Sequence, residues 1–147
     1  MLQKINKLSY FALLISIINL VLYHLPFYKF VCNNIDLKSL NGIVLLVSLT
    51  VLAIFLNALV FYIGLYLLRN VGKWILVLFF NINAIALYFV NTYGVIIDKT
   101  MIGNVVNTNF EESSSFFSFT LIVYIILLGI IPSILLFKIK TEKVKVK

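Results

Sequence analysis

The chain is poor in the residues from which self-contained chemical sites are built. Its 147 residues include one cysteine, Cys32, so no intrachain disulfide can form, and one histidine, His24. A single imidazole, a single thiol and no clustered carboxylates beyond Glu111-Glu112 exclude a metal site assembled by this chain alone. No histidine is placed to serve a serine or threonine as general base. A Gly-x-Ser-x-Gly elbow and a phosphate-cradling glycine loop are both missing, so the residues offer no catalytic set. Acidic residues are scarce as well: five stand against twelve Lys and Arg, a formal net charge of +7. From Lys138 onward lysine and valine alternate without base-stacking aromatics, a pattern suited to anionic lipid headgroups and not to nucleic acid. Cys32 reads as an incidental small residue, with pairing to another chain as the alternative. His24, beside Tyr23 and Pro26, reads as an interfacial side chain.

Apolar surface is what the chain has in excess. Hydrophobic residues make up 63% and charged residues only 12%, with a mean hydropathy of +1.11. A soluble chain of this length could not hide so much apolar surface from water, whereas a lipid solvent removes the need. Four windows carry no Asp, Glu, Lys or Arg: Leu8 to Tyr28, Leu40 to Leu68, Ile75 to Ile97 and Ser113 to Phe137. Each is long enough for a helix that crosses about 30 Å of hydrocarbon, which takes roughly 20 apolar residues. The first exceeds the roughly 7 to 15 residues of a signal-peptide core, and no A-x-A-like site follows Pro26, so it is expected to be retained. The fold class is therefore all-α, a polytopic membrane protein with helices over about 8–28, 41–68, 74–93 and 116–137. Residues 1–147 are expected to form a single transmembrane domain, with an outer segment over about 94–115.

Orientation follows from the basic residues. With the N-terminus cytoplasmic, the inner segments hold Lys4, Lys7, Arg69, Lys73, Lys138, Lys140, Lys143, Lys145 and Lys147, against Lys29, Lys38 and Lys99 outside. That bias puts both termini in the cytoplasm. Tyr10, Tyr23, Phe27, Tyr28, Trp74, Tyr88 and Tyr93 fall near the ends of the spans, as an interfacial aromatic belt requires. Asn19, Asn57, Asn81 and Asn83 lie in apolar surroundings and read as interhelical hydrogen-bond partners, since none is ionisable and no pattern repeats between halves. The Ser113-Ser114-Ser115 run is placed to cap the fourth helix, and Pro132 is expected to kink it.

Residues 92 to 112 form the longest polar-rich interruption between apolar runs. Met101, Ile102, Val105, Val106 and Phe110 trace one apolar helical face, with Lys99, Asn104, Asn107, Thr108 and Glu111 lying off it. This predicts an amphipathic helix on the outer membrane surface, capped by Asp98 or Thr100, with Gly94 allowing the turn out of the third span. Asn104, Thr108 and Glu112 recur every four residues, so they drift by only about 80° around such a helix and span about 12 Å along it. An amide, a hydroxyl and a carboxylate then line one stripe.

The run Tyr88-Phe89, Thr92-Tyr93-Gly94, Asp98, Met101, Asn104, Thr108, Glu112 resembles the N-terminal membrane domain of the lipid A phosphoethanolamine transferases, which include the mobile colistin-resistance enzymes. Agreement extends to Asn19-Leu20 and Pro132-Ser133, so the resemblance covers nearly the whole chain. It implies an inner-membrane enzyme that moves phosphoethanolamine from phosphatidylethanolamine to lipid A, weakening the binding of polymyxins. It also implies that Asn104, Thr108 and Glu112 line the donor-lipid site. A carboxylate suits the ethanolamine ammonium, while an amide and a hydroxyl suit phosphate or glycerol oxygens. Members of the family carry a fifth membrane helix and a zinc-dependent, alkaline-phosphatase-like domain whose threonine is the nucleophile. No such motifs occur here, so this chain is expected to supply no catalytic residue, metal ligand or cofactor of its own. Zinc is expected in a catalytic domain provided in cis or in trans. Two rivals are a stand-alone four-helix inner-membrane scaffold or regulatory subunit, and a small transporter or channel subunit. The second is disfavoured by the lack of intramembrane charge.

Overall fold

The computed structural model describes residues 8–68, 71–94 and 118–139, and the described residues are helical with short joints and no strand. The helices are α1 (Leu8–Tyr23), α2 (Leu25–Asn34), α3 (Leu40–Leu68), α4 (Gly72–Tyr93) and α5 (Phe119–Lys138). Among the described residues, α3, α4 and α5 are each long and apolar enough to cross a membrane. α1 and α2 meet that condition only as a pair, bent by 67°. The chain is thus an all-α polytopic membrane protein. The first apolar window, expected as one helix over 8–28, is divided at His24.

Two compact units are distinguished, Met1–Leu76 with Ile134–Lys147, and Val77–Ser133. In the first unit, α1 buries Phe11, Ala12, Ile15, Ser16 and Asn19. The spacing i, i+1, i+4, i+5, i+8 gathers these on one face, which packs along α3. Ser16 is fully buried, and its hydroxyl donates to the Ile54 carbonyl at 2.6 Å, so it carries no desolvated, unpaired group. Ser39 precedes α3 and caps it: its Oγ accepts from Gly42 N–H at 3.1 Å and donates to the Asp36 carbonyl at 2.8 Å. The same unit holds the start of α4 and the end of α5. Lys73 donates to the Ile139 carbonyl and lies 5.3 Å from the Phe11 ring centroid, while Trp74 packs edge-on against Phe137 at 5.0 Å. A cation at a helix C-terminus satisfies a free carbonyl and opposes the helix dipole. Long lysine stems permit this from the edge of an apolar layer.

In the second unit α4 and α5 approach closely. A Cβ built on Gly129 would lie 2.5 Å from Asn81 Oδ1 and 3.3 Å from Asn81 Cα, so only glycine permits this contact without displacement. Asn81 was expected to bond between helices; instead its Nδ2 donates to Val77 O of its own helix at 2.8 Å. An interhelical amide bond comes from Asn91, whose Nδ2 donates to Tyr124 Oη at 3.2 Å.

Near Pro132, where the sequence predicts a kink, the helix departs from regular α geometry. Immediately before it, Ile125–Ile130 is a π-helical turn, and Ile131 N–H donates to the Ile126 carbonyl five residues back. Proline has no N–H to give the Leu128 carbonyl and its ring crowds that oxygen, and a widened turn accommodates both defects. Ser133 Oγ then donates to Gly129 O at 2.6 Å, compensating within the disturbed turn.

Candidate functional site

The stripe predicted to hold the donor lipid, Asn104, Thr108 and Glu112, lies outside the described residues, as do the predicted surface helix beyond Gly94 and the Ser113-Ser114-Ser115 run. The structure does describe both ends of the segment that carries the stripe. On the near side, α4 ends at Tyr93, and Gly94 takes φ 64° while its N–H donates to Val90 O at 3.1 Å. This left-handed residue closes α4 at the glycine that the sequence assigns to a turn. On the far side, Ser118 has an extended backbone, and its Oγ accepts from Leu121 N–H at 3.1 Å. Ser118, then, is the cap of α5.

These two ends are tied together. Tyr88 is 1% exposed, and its hydroxyl meets Ser118 Oγ at 2.8 Å. Thr92 and Tyr93 lie within hydrogen-bonding reach of the same hydroxyl. The Tyr88 ring packs edge-on against Tyr124 at 5.6 Å and Tyr93 at 6.0 Å, and Tyr93 stacks on Phe89 at 5.6 Å. The Asn91 to Tyr124 bond lies in the same group. A phenol, a serine hydroxyl and an amide therefore join the last two turns of α4 to the first two of α5. Their effect is to hold fixed the two points between which residues 95–117 run. An aromatic ring with one polar tip suits such a joint at the edge of a membrane, since the ring is packed while the hydroxyl is bonded.

Sequence reasoning placed Tyr88 and Tyr93 in an aromatic belt, but it did not pair Tyr88 with Ser118. Ser118 was overlooked in favour of the serine triplet. The available signal was position: Ser118 is the serine nearest the continuous apolar run from Phe119, where the first unpaired N–H groups of the helix lie.

The zinc implied by the resemblance can be tested against the donor set. Among the described residues no three His, Cys, Asp or Glu side chains come together. His24 Nδ1 instead donates to the Asn19 carbonyl at 3.3 Å, and Cys32 is a free, partly buried thiol. The described residues thus offer no donor set for the metal.

Residues 52–147 match the family described as phosphoethanolamine transferase EptA/EptB. The chain is 32% identical to the phosphoethanolamine transferase EptA of Helicobacter pylori over 128 residues, covering 87% of this chain and 24% of that protein. It is 28% identical to EptA of Salmonella typhimurium over 128 residues, 87% of this chain and 23% of the relative. To the phosphatidylethanolamine transferase Mcr-2 of Escherichia coli it is 39% identical over 67 residues, 46% of this chain and 12% of that protein. The chain thus spans about a quarter of the length of the EptA relatives. No solved structure gives a significant match. Four apolar windows, an all-helical membrane fold and a family match over residues 52–147 agree, and the chain belongs to the EptA/EptB phosphoethanolamine transferase family, within its N-terminal membrane domain.

Proposed function

We propose that this chain is the membrane anchor and part of the donor-lipid site of an inner-membrane enzyme that transfers phosphoethanolamine from phosphatidylethanolamine to lipid A. The observation that carries the reading is the family match over residues 52–147, which includes the whole run from Tyr88 to Glu112 as well as Pro132-Ser133. The Tyr88 to Ser118 joint supports it, because it holds both ends of the segment bearing Asn104, Thr108 and Glu112.

The proposed division of labour follows from side-chain chemistry. Glu112 pairs with the ethanolamine ammonium, while Asn104 and Thr108 bond phosphate or glycerol oxygens, and together they orient the headgroup. Breaking the phosphoester bond and passing the group to the acceptor belong to a catalytic domain acting in cis or in trans, since this chain offers neither nucleophile nor base. Both termini are cytoplasmic and residues 94–115 periplasmic, a placement supported by nine of the twelve basic residues falling on the inner side. Reporter fusions after Lys147 and within residues 99–110 test that orientation, and a periplasmic signal from the C-terminal fusion overturns it.

The site is tested with the catalytic domain present. Glu112→Ala should lower donor-lipid turnover and polymyxin resistance by roughly tenfold or more, as expected for loss of a charge-assisted bond worth about 1.5–3 kcal/mol. Asn104→Ala and Thr108→Ala should cost roughly fivefold each, near 1 kcal/mol per neutral bond. Glu111→Ala, about 100° away around a helix, is the control and should be tolerated. Equal damage from Glu111→Ala at matched membrane expression rejects the register. No damage from any of the four reduces the stripe to a solvated face.

A further inference from the structure

We propose that α2 does not continue the first span but lies along the membrane–water boundary of the leaflet where α1 ends, as an interfacial helix. Its composition is the first reason. Leu25–Asn34 reads LPFYKFVCNN, with Lys29, Asn33 and Asn34 in ten residues, too polar and too short to run on through hydrocarbon.

The bend is the second reason, and it is fixed from both sides. Pro26 occupies the first turn of α2, where its missing N–H costs nothing but its ring prevents a straight continuation from Leu22. His24 sits between the two helices at φ −91° and ψ 7°, and its Nδ1 donates to the Asn19 carbonyl at 3.3 Å. Beyond the bend, Tyr28 Oη donates to Thr50 Oγ1 of α3 at 2.9 Å, and that threonine hydroxyl donates in turn to Leu46 O at 2.8 Å. The resulting angle between α1 and α2 is 67°.

Lengths put α2 at the boundary. The 16 residues of α1 rise about 24 Å, short of a hydrocarbon layer of about 30 Å. With α1 along the membrane normal, the 10 residues of α2, tilted by 67°, add about 6 Å more. The two together reach the edge of the hydrocarbon with α2 lying mostly sideways.

The faces of α2 match that setting. Val31 is buried and Tyr28 half-buried, and they define the side packed on the protein. Phe27 and Phe30 are exposed, at 42% and 68%, and stand about 60° apart around the helix. Lys29 and Asn33, also exposed, stand about 40° apart, with their mean direction about 110° from that of the two phenylalanines. Three faces result: one against α3, one of aromatic rings for the acyl–headgroup region, and one with an ammonium and an amide for phosphates and water. An in-plane helix needs this division, whereas neither a span nor a solvated loop does.

Depth measurements on the full chain in phosphatidylethanolamine/phosphatidylglycerol vesicles test the proposal. In a Cys32→Ser background, nitroxide labels are placed through Phe27→Cys, Lys29→Cys, Phe30→Cys and Asn33→Cys, and collision with oxygen is compared with collision with a water-soluble nickel chelate. The oxygen-to-nickel ratio should be several-fold higher at positions 27 and 30 than at 29 and 33. Four equally oxygen-rich positions show a re-entrant or spanning segment, four equally nickel-accessible ones show a solvated loop, and either result overturns the proposal. A second readout guards against disturbance by the labels. Phe30→Trp in a Trp74→Phe background should be quenched best by lipids brominated high on the acyl chain. Strongest quenching from the bilayer centre, or none, rejects the interfacial position.

Discussion

Helices α3 and α4 are both apolar enough to span a membrane, yet they meet their surroundings in opposite ways. α3 is the longer and more apolar, and none of its most apolar stretch is buried in protein. In α4, 28% of the corresponding stretch is buried. Burial on α4 follows a stripe through Gly72, Leu76, Phe80, Ala84, Leu87 and Tyr88, stepping mostly by three or four residues. On α3, burial is confined to Gly42 near one end and Phe61 and Leu65 near the other. In water, the most hydrophobic helix would be the most deeply buried. In a bilayer the lipid is as apolar as leucine, so hydrophobicity marks the surface left to lipid, and close packing marks the surface shared with protein.

The sharpest way to break this contrast is to shorten one phenylalanine on each helix. Phe80 is 0% exposed and Phe55 is 65% exposed. Phe80→Ala should cost about 3–5 kcal/mol, the range for an aromatic removed from a packed interior. Phe55→Ala should change stability by less than about 0.5 kcal/mol, as for sites away from packing. Reversible unfolding in mixed micelles reads both. Equal costs would mean that α3 is covered by something beyond the described residues.

A smaller effect sharpens the comparison at the level of glycine. Gly129 faces Asn81 with no room for a methyl group, whereas a Cβ on Gly64 of α3 meets nothing within 4 Å. Gly129→Ala should destabilise by about 1–3 kcal/mol through overpacking. Gly64→Ala should be neutral or stabilise by up to about 1 kcal/mol through helix propensity. If Gly129→Ala is tolerated as well as Gly64→Ala, the α4–α5 contact is looser than its geometry indicates.

The outer end of α4 and the start of α5 show why part of the site was readable and part was not. Gly94 was legible as a turn because positive φ is a property of one residue and its neighbours. Asn104, Thr108 and Glu112 were legible as a four-residue spacing and as a resemblance, both of which need only the order of residues. The pairing of Tyr88 with Ser118 was not legible, because it joins positions thirty apart whose side chains are unremarkable alone. Asn81 misled in the opposite way. Its polarity signalled a partner in another helix, and its own Val77 carbonyl supplied one instead.

The sequence by itself determined the solvent, the helical class and the approximate extent of the apolar spans, since these depend on composition and on charge-free length. Family membership was legible from the same run of residues. The tertiary structure decided that the first apolar window folds as two helices bent by 67°, that the proline defect is absorbed as a π turn at Ile125–Ile130, and which stripe of α4 is packed. In lipid every apolar face is equally well solvated, so the choice among faces rests on shape and on hydrogen bonds between residues distant in sequence, and local pattern carries neither.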